Sequence, residues 1–247
     1  MSSDSVPPES LRGVVFATTR WSLVLKAGAI DAEESGAALE SLCRAYWGPI
    51  YWFIRRSGRS PHDAEDLTQD FFARLLARED LSRLKQGRGR FRNFLLVSVR
   101  HFLADEVDRS RAQKRGGGAK LLSFDAPVEA EDAAVELPAG ATAEDLYDRR
   151  WAETLLSRSR GRLREECVQA GRLALYEALG PEGNDDSDEG YESVGVRVGL
   201  SVAGVKSAAF RLRARYREIL REEVAETVSS AEELEEELRH LARVLSR

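Results

Sequence analysis

Apolar residues recur at helical spacing through most of the chain, and residues 60–76, SPHDAEDLTQDFFARLL, show this pattern most clearly. Ser60 and Pro61 are typical of a helix start, because a serine hydroxyl can cap a free N–H and proline suits the first helical position. The apolar positions that follow are spaced by three or four residues, which places them on one helix face: Ala64, Leu67, Phe71 and Leu75. The segment is therefore predicted to form an amphipathic helix over 61–78.

The same periodicity predicts helices at 18–28, 35–57, 61–78 and 90–113. Three successive glycines in KRGGGAK, residues 114–120, end this block, because glycine does not sustain a helix. The next stretch has acids, alanines and prolines without apolar periodicity, which is typical of a linker. A second helical block starts near Ala143 and is interrupted by an acidic loop at 181–190. Because no segment alternates with period two, strands are not expected.

These patterns predict an all-α fold with two helical domains joined by a flexible acidic linker, the second domain containing a helix-turn-helix. The predicted organisation runs in five parts: a disordered lead at 1–13, a first domain at 14–115, a linker at 116–143, a second domain at 144–221 and a C-terminal helical extension at 222–247.

The C-terminal extension carries a leucine stripe behind a capping serine, Ser230. Its members are Leu234, Leu238, Leu241 and Leu245. We expect the stripe to pack in cis, on the second domain of its own chain, because one short stripe is too little for a coiled coil. Pairing with a second copy and binding of a regulator are the alternatives.

Charge along the chain is segregated, although the net charge of −5 by itself argues against nucleic acid. Residues 88–115 hold eight bases and three acids, and residues 191–221 hold seven bases and two acids. Between them, residues 121–148 hold eight acids and no base. Two basic segments separated by an acidic one are compatible with nucleic-acid binding despite the acidic total.

The two cysteines, Cys43 and Cys167, are isolated from each other and from the three histidines. They offer no disulfide framework and no zinc spacing, so both are expected to be small buried side chains. No metal and no cofactor is predicted. The N-terminus lacks the features of a signal peptide and no apolar run approaches a membrane span, so a cytoplasmic protein without membrane contact is expected.

Residues 191–216, YESVGVRVGLSVAGVKSAAFRLRARY, have the spacing of a helix-turn-helix. Gly199 suits a turn with positive φ, Gly195 permits close helix approach, and Ser201 can cap the second helix. The predicted small core comprises Val194, Val198, Leu200, Val205, Ala208, Ala209 and Leu212. The outer face, predicted to meet the edges of a major groove, comprises Ala203, Lys206, Ser207, Phe210 and Arg211. Arg213 and Arg215 are predicted phosphate contacts. An ordinary helical hairpin with a solvated basic face is the alternative.

The helix at 61–78 has a second face that is small and acidic, formed by Asp66, Gln69, Asp70 and Ala73. Together with the segments ALESLCRAYWGPIYWFIRRSGRSPHDAEDLTQDFFARLL, RGRFRNFLLVSVRHFLADEVDRSRAQKR and LSVAGVKSAAFRLRARYREIL, it resembles bacterial sigma factors of the extracytoplasmic-function (ECF) type. The first motif is specific to that family. The additional segments resemble a subgroup with a C-terminal extension.

The resemblance implies that Asp66, Gln69, Asp70 and Ala73 dock on the clamp helices of core RNA polymerase. A solvated helix face is the alternative. It also implies that the helix at 90–113 melts promoter DNA and reads the −10 element, while the helix-turn-helix reads the −35 element. Melted DNA needs cations for its phosphates and aromatic or apolar platforms for its unstacked bases. The candidate contributors to DNA binding in this segment are Arg88, Arg90, Arg92, Asn93, Arg100, His101 and Arg109. The family often has tryptophan where Phe94 stands and asparagine near His101, and these departures leave the promoter sequence open.

The resemblance thus implies an alternative sigma factor whose partners are core RNA polymerase and promoter DNA, with any anti-sigma protein supplied as a separate chain. Such a factor is not an enzyme. A helix-turn-helix regulator that binds duplex DNA without polymerase is the main alternative. A nuclease using Asp63, Glu65, Asp66 and Asp70 as metal ligands is disfavoured, because only some of them share a face and no histidine joins them.

Overall fold

The computed structural model describes residues 32–77, 90–113, 141–181 and 188–246. The predicted lead at 1–13, the predicted helix at 18–28, Arg88 and linker residues 116–140 lie outside these ranges. Within the described ranges every regular element is a helix, so the predicted all-α fold class is confirmed. The helices are α1 (Ala32–Arg56), α2 (Pro61–Ala77), α3 (Phe91–Gln113), α4 (Ala143–Gln169), α5 (Leu173–Leu179), α6 (Asp188–Val198), α7 (Val202–Ala225) and α8 (Ala231–Leu245).

Side-chain caps start several of these helices where the sequence places Ser or Thr. The Ser60 hydroxyl accepts a hydrogen bond from the Asp63 N–H at 3.1 Å. Thr142 and Asp145 form a reciprocal capping box at the start of α4. Ser230 accepts from the Glu233 N–H at the start of α8. Each cap pairs a backbone N–H that the helix leaves without a partner, which explains why the boundaries were readable from sequence.

The largest hydrophobic core joins elements from both helical blocks. It contains Ile50 and Phe53 of α1 and Leu95 of α3, together with Trp151 of α4 and Leu234 of α8. Tyr147 also ties α4 to α3, because its hydroxyl donates to the Arg92 carbonyl at 3.0 Å. The first helix after the predicted linker therefore packs directly on the helices before it.

Two smaller cores lie beyond this one. The first holds Val194 of α6 against Val205 and Ala209 of α7, and the second holds Leu163 and Cys167 of α4 against the middle of α7. Helix α4 thus contributes its N-terminal half to the large core and its C-terminal half to a small one. It is the physical link between the two predicted domains, whose boundaries stay a prediction.

The C-terminal helix packs on its own chain, as expected from its leucine stripe, but the core that it joins includes helices of the first block as well as α4. Leu234 and Leu241 of α8 are buried in the large core and Leu238 is partly buried there, whereas Leu245 is exposed. Helix α8 contacts both α4 and α7. The cysteines are buried as predicted, and burial, with a smaller effect of Glu40, raises the pKa of Cys43 to about 12.

Candidate binding surfaces

The acidic face of α2 is exposed, while the opposite face of the same helix is buried. Asp66, Gln69 and Ala73 are exposed and Asp70 is half-buried beside them. The positions are spaced by three, one and three residues, which aligns them on one face. Oδ2 of Asp66 lies 3.3 Å from Nδ1 of His62, and Oδ1 of Asp70 accepts a hydrogen bond from Nε of Arg74 at 2.9 Å. Arg74 pairs with the charge of Asp70 within the helix, and the face stays acidic.

Two apolar side chains that were missed in the sequence pattern border this face. Trp47 of α1 stacks on Phe72 of α2 with ring centroids 5.6 Å apart, and its side chain remains partly exposed. Leu76 is also exposed, one turn beyond Ala73. Their spacing alone marks Trp47 and Leu76 as ordinary helical apolar residues. Only the packing of α1 against α2 shows that they extend the acidic face with an apolar rim.

Helix α3 presents a partly basic face to solvent. Asn93, Arg100, His101 and Arg109 are exposed, as required for the predicted contacts with DNA. Val97 lies between Asn93 and Arg100 on this face and is 50% exposed. Arg100 pairs with Glu144 of α4, and Arg109 pairs with Glu106 at 2.7 Å. The Arg100–Glu144 pair is exposed, and such pairs contribute little to stability, whereas the Glu106 side chain is mostly buried and also pairs with Arg74.

Arg90 and Arg92 are placed differently from the other predicted DNA contacts, since both point into the protein. Nε of Arg92 donates to Glu237 at 2.7 Å, and its Nη1 donates to Asp148 at 2.6 Å. Arg90 pairs with Glu237 at 3.1 Å and also with Glu236. We refer to Arg90, Arg92, Asp148, Glu236 and Glu237 as the Arg92 cluster. In this conformation Arg92 is buried and does not reach DNA.

The Arg92 cluster is also held by its surroundings. The Arg92 guanidinium lies 5.1 Å from the centroid of the Trp151 ring, and His240 lies 2.9 Å from Asp148. Burial by itself lowers the pKa of Arg92, but the hydrogen bonds and charge of Glu237, with the charge of Asp148, outweigh it and raise the pKa. Arg92 is therefore a permanent cation stacked on an aromatic face and satisfied by carboxylates from two other helices.

Helices α6 and α7 are joined by a turn with the predicted geometry. Gly199 has φ 71°, and the Ser201 hydroxyl accepts from the Gly204 N–H at 3.2 Å. The Leu200 N–H donates to the Gly195 carbonyl at 3.0 Å. A Cβ at Gly195 would lie 2.5 Å from the Leu200 carbonyl oxygen, so only glycine fits there. Leu200 itself is exposed and lies outside the core formed by Val194 and Val205, so its assignment to that core was wrong.

Gly195→Ala is expected to destabilise the α6–α7 unit by about 1–3 kcal/mol, because the added methyl group must displace backbone rather than a flexible side chain. Gly161→Ala is the matched control. Gly161 lies in α4, and a Cβ added there would meet no described atom within 4 Å, so alanine should stabilise by about 0.5–1 kcal/mol through helix propensity. Urea unfolding followed by circular dichroism measures both changes. Equal effects of the two substitutions would contradict the close approach at Gly195.

The predicted major-groove face of α7 is exposed throughout: Ala203, Lys206, Ser207, Phe210 and Arg211. Phe210 is the most exposed aromatic side chain of the described residues, at 69%. Arg213 is half-buried. Arg215 instead donates two hydrogen bonds of 2.8 Å to Glu166 of α4 and further bonds to Glu218 and Glu222. These hydrogen bonds raise the pKa of Arg215, and the bonds to Glu166 have the largest effect. The Arg215–Glu166 pair also ties α7 to α4.

The described ranges contain no group of three or more histidine, cysteine or acidic side chains placed to hold a metal ion. Among the described helices none is long and apolar enough to span a bilayer.

Comparison with known families assigns part of the chain. Residues 42–113 match the model of sigma-70 region 2, and this segment includes most of α1 and all of α2 and α3. No curated protein and no solved structure matches the chain. The chain therefore contains a sigma-70 region 2 domain. The matched segment covers 72 of the 247 residues and makes this part of the chain similar to region 2 of sigma factors.

Proposed function

We propose that the protein is an alternative sigma factor of the ECF type, with a C-terminal extension, that recruits core RNA polymerase to promoters and helps to open them. The observation that carries the proposal lies within residues 42–113. This sigma-70 region 2 segment presents the exposed acidic face of α2 and the exposed polar and basic face of α3. The protein itself catalyses no reaction, because strand opening is driven by the free energy of binding. It acts in the cytoplasm.

Polymerase binding is assigned to the face formed by Asp66, Gln69, Asp70 and Ala73. Its acidic charge complements a basic coiled coil such as the clamp helices of the polymerase, and Ala73 leaves room for a close approach. Trp47 and Leu76 add exposed apolar area next to this face, and burial of apolar area favours association. Charge complementarity mainly sets the association rate and the specificity.

Recognition of the −10 element and DNA melting are assigned to the exposed side of α3. Arg100 and Arg109, both exposed, can exchange their carboxylate partners for phosphates, and Asn93 and His101 offer hydrogen bonds to bases. Val97 supplies an apolar surface between them for unstacked bases. Any role of Arg88 is a prediction for a residue outside the described ranges.

Recognition of the −35 element is assigned to α6 and α7 as a helix-turn-helix. Its support is the tight turn at Gly195 and Gly199, the capped start of α7, and an exposed outer face that includes Lys206 and Arg211. The same geometry would also serve a regulator that binds duplex DNA without polymerase, which is the alternative function. An anti-sigma partner would be a separate protein.

Co-elution with bacterial core RNA polymerase tests the proposal. Wild type is expected to co-elute, whereas Asp66→Arg/Asp70→Arg should bind at least about tenfold more weakly, because it sets like charges against the clamp helices. The control Glu165→Arg/Glu192→Arg changes the net charge equally at exposed positions on α4 and α6. Its binding should equal that of wild type.

The alternative function has a distinct signature in the same experiment. If wild type does not bind polymerase but shifts duplex DNA in a gel, the regulator is the correct assignment and the α2 face is only solvated surface. Circular dichroism of each variant confirms that the substitutions leave the helices folded.

A further inference from the structure

The Arg92 cluster sets two arginines of the sigma-70 region 2 segment against carboxylates of the C-terminal extension. The side chains of Arg90 and Arg92 are only 21% and 6% exposed. Both lie at the start of α3, in the stretch assigned to promoter DNA. Their partners Glu236 and Glu237 are more than 140 residues away along the chain. The contact therefore has no local origin and exists only because α8 docks there.

Helix α8 is built to hold these carboxylates in place. Leu234 and Leu241 lie three residues before and four residues after Glu237, on the same face, and both are buried in the large core. Glu237 itself is fully buried between them, which for a carboxylate requires a charged partner. The backbone reinforces the docking, since the Phe91 N–H donates to the Thr227 carbonyl at 3.0 Å, just before α8.

The chemistry of the contact resembles that of a bound phosphate. A guanidinium presents the same fork of N–H donors to a carboxylate and to a phosphate, so neighbouring glutamates can occupy arginines that would otherwise meet a DNA backbone. Asp148 of α4 accepts from a second nitrogen of Arg92. Arg92 would therefore keep one partner if α8 were released, which lowers the cost of release.

We propose that α8 is an autoinhibitory segment in which Glu236 and Glu237 occupy Arg90 and Arg92 in place of the phosphates of promoter DNA. This inference rests on the proposed function for the identity of the DNA. In the free protein the apolar anchors hold α8 on the start of α3. Release of α8 when the factor binds core RNA polymerase frees Arg90 and leaves Arg92 with Asp148 as its remaining carboxylate partner, so that phosphates can compete for both arginines at the start of α3.

The autoinhibitory contact of α8 can be tested without polymerase. The test measures the affinity of the full-length protein for a fluorescent 20-nucleotide oligothymidylate by anisotropy at several salt concentrations. Glu236→Gln/Glu237→Gln is expected to bind about 5- to 150-fold more tightly than wild type, the range of typical coupling between sites. Its plot of log affinity against log salt should be steeper by about 0.7, the contribution of one freed arginine on a single strand, because Arg92 keeps Asp148 as a partner. Glu236→Gln, at a half-exposed position, should show a smaller change in the same direction.

The matched control is Glu235→Gln on the same helix. Glu235 is exposed and pairs with Arg221 rather than with α3, so this variant should bind the oligonucleotide like wild type. Equal affinity and equal salt slope for wild type, Glu236→Gln and Glu236→Gln/Glu237→Gln would overturn the proposal. So would an equal gain in Glu235→Gln, because a general loss of negative charge would then explain it.

Hydrogen exchange of the wild-type protein keeps the proposal testable if the double variant does not fold. Amides of residues 231–245 should lose protection when core polymerase and the oligonucleotide are both bound. Unchanged protection in that complex would show that α8 is a permanent structural element. Failure of wild type to bind polymerase would refute the proposed function but not the autoinhibitory contact, since the oligonucleotide measurement tests that contact independently.

Discussion

Replacing Glu237 with alanine is expected to lower the free energy of unfolding by about 3–5 kcal/mol, the usual cost of removing one partner from a buried ion pair. Glu237 is fully buried and accepts from both Arg90 and Arg92. Without it, Arg92 keeps Asp148 but loses two of its hydrogen bonds inside the core. Urea unfolding followed by circular dichroism measures the change.

Two further variants separate the charge from the packing. Glu235→Ala removes an exposed carboxylate from the same helix and should cost no more than about 1 kcal/mol. Arg92→Met/Glu237→Leu replaces the pair by apolar side chains and should recover most of the stability lost in Glu237→Ala, because neither charge is then buried unpaired. A loss in Glu237→Ala as small as that in Glu235→Ala would contradict the buried pair.

Trp151→Ala is expected to destabilise the protein by about 3–5 kcal/mol, as is usual for deleting a large buried aromatic side chain. Trp151 is among the largest fully buried side chains, and it lies where α4 joins the large core, beneath Arg92 and beside His240. The loss should appear in the unfolding of α1, α2 and α3 as well as α4, because these helices share one core.

Trp47→Ala is the matched control for this prediction. It removes the same side chain from α1, but at a position that is partly exposed and stacked on Phe72. Its cost should be about 1 kcal/mol, typical of a substitution outside the core. Circular dichroism is the appropriate signal, since both variants remove a fluorophore. Equal losses in the two variants would mean that α4 is not part of the large core.

The sequence predicted the local features of the fold well. Helix bounds agree to within a few residues, as for α2, predicted at 61–78 and found at Pro61–Ala77. The caps at Ser201 and Ser230 and the positive φ of Gly199 are confirmed. All depend on residues within four positions of one another, and such interactions leave a direct signature in sequence.

Which face of a helix is exposed was also readable, because periodicity separates apolar from polar positions. The acidic face of α2 and the outer face of α7 are where the pattern placed them. The pattern misjudged Leu200 and overlooked Trp47, Leu76 and Val97 as exposed apolar residues. Hydrophobicity predicts burial on average, whereas the exposure of one apolar side chain depends on which neighbouring helix covers it.

What the sequence by itself determined is therefore the set of helices, their caps and turns, and the charged faces that they carry. Only the tertiary structure decided that α4 belongs to two cores and that Arg90 and Arg92 turn away from solvent toward α8. The physical reason is the separation along the chain of the residues that interact. A cap or a helix face is set by neighbours one turn away, whereas the partner of a buried arginine is chosen by packing between helices that lie far apart along the chain.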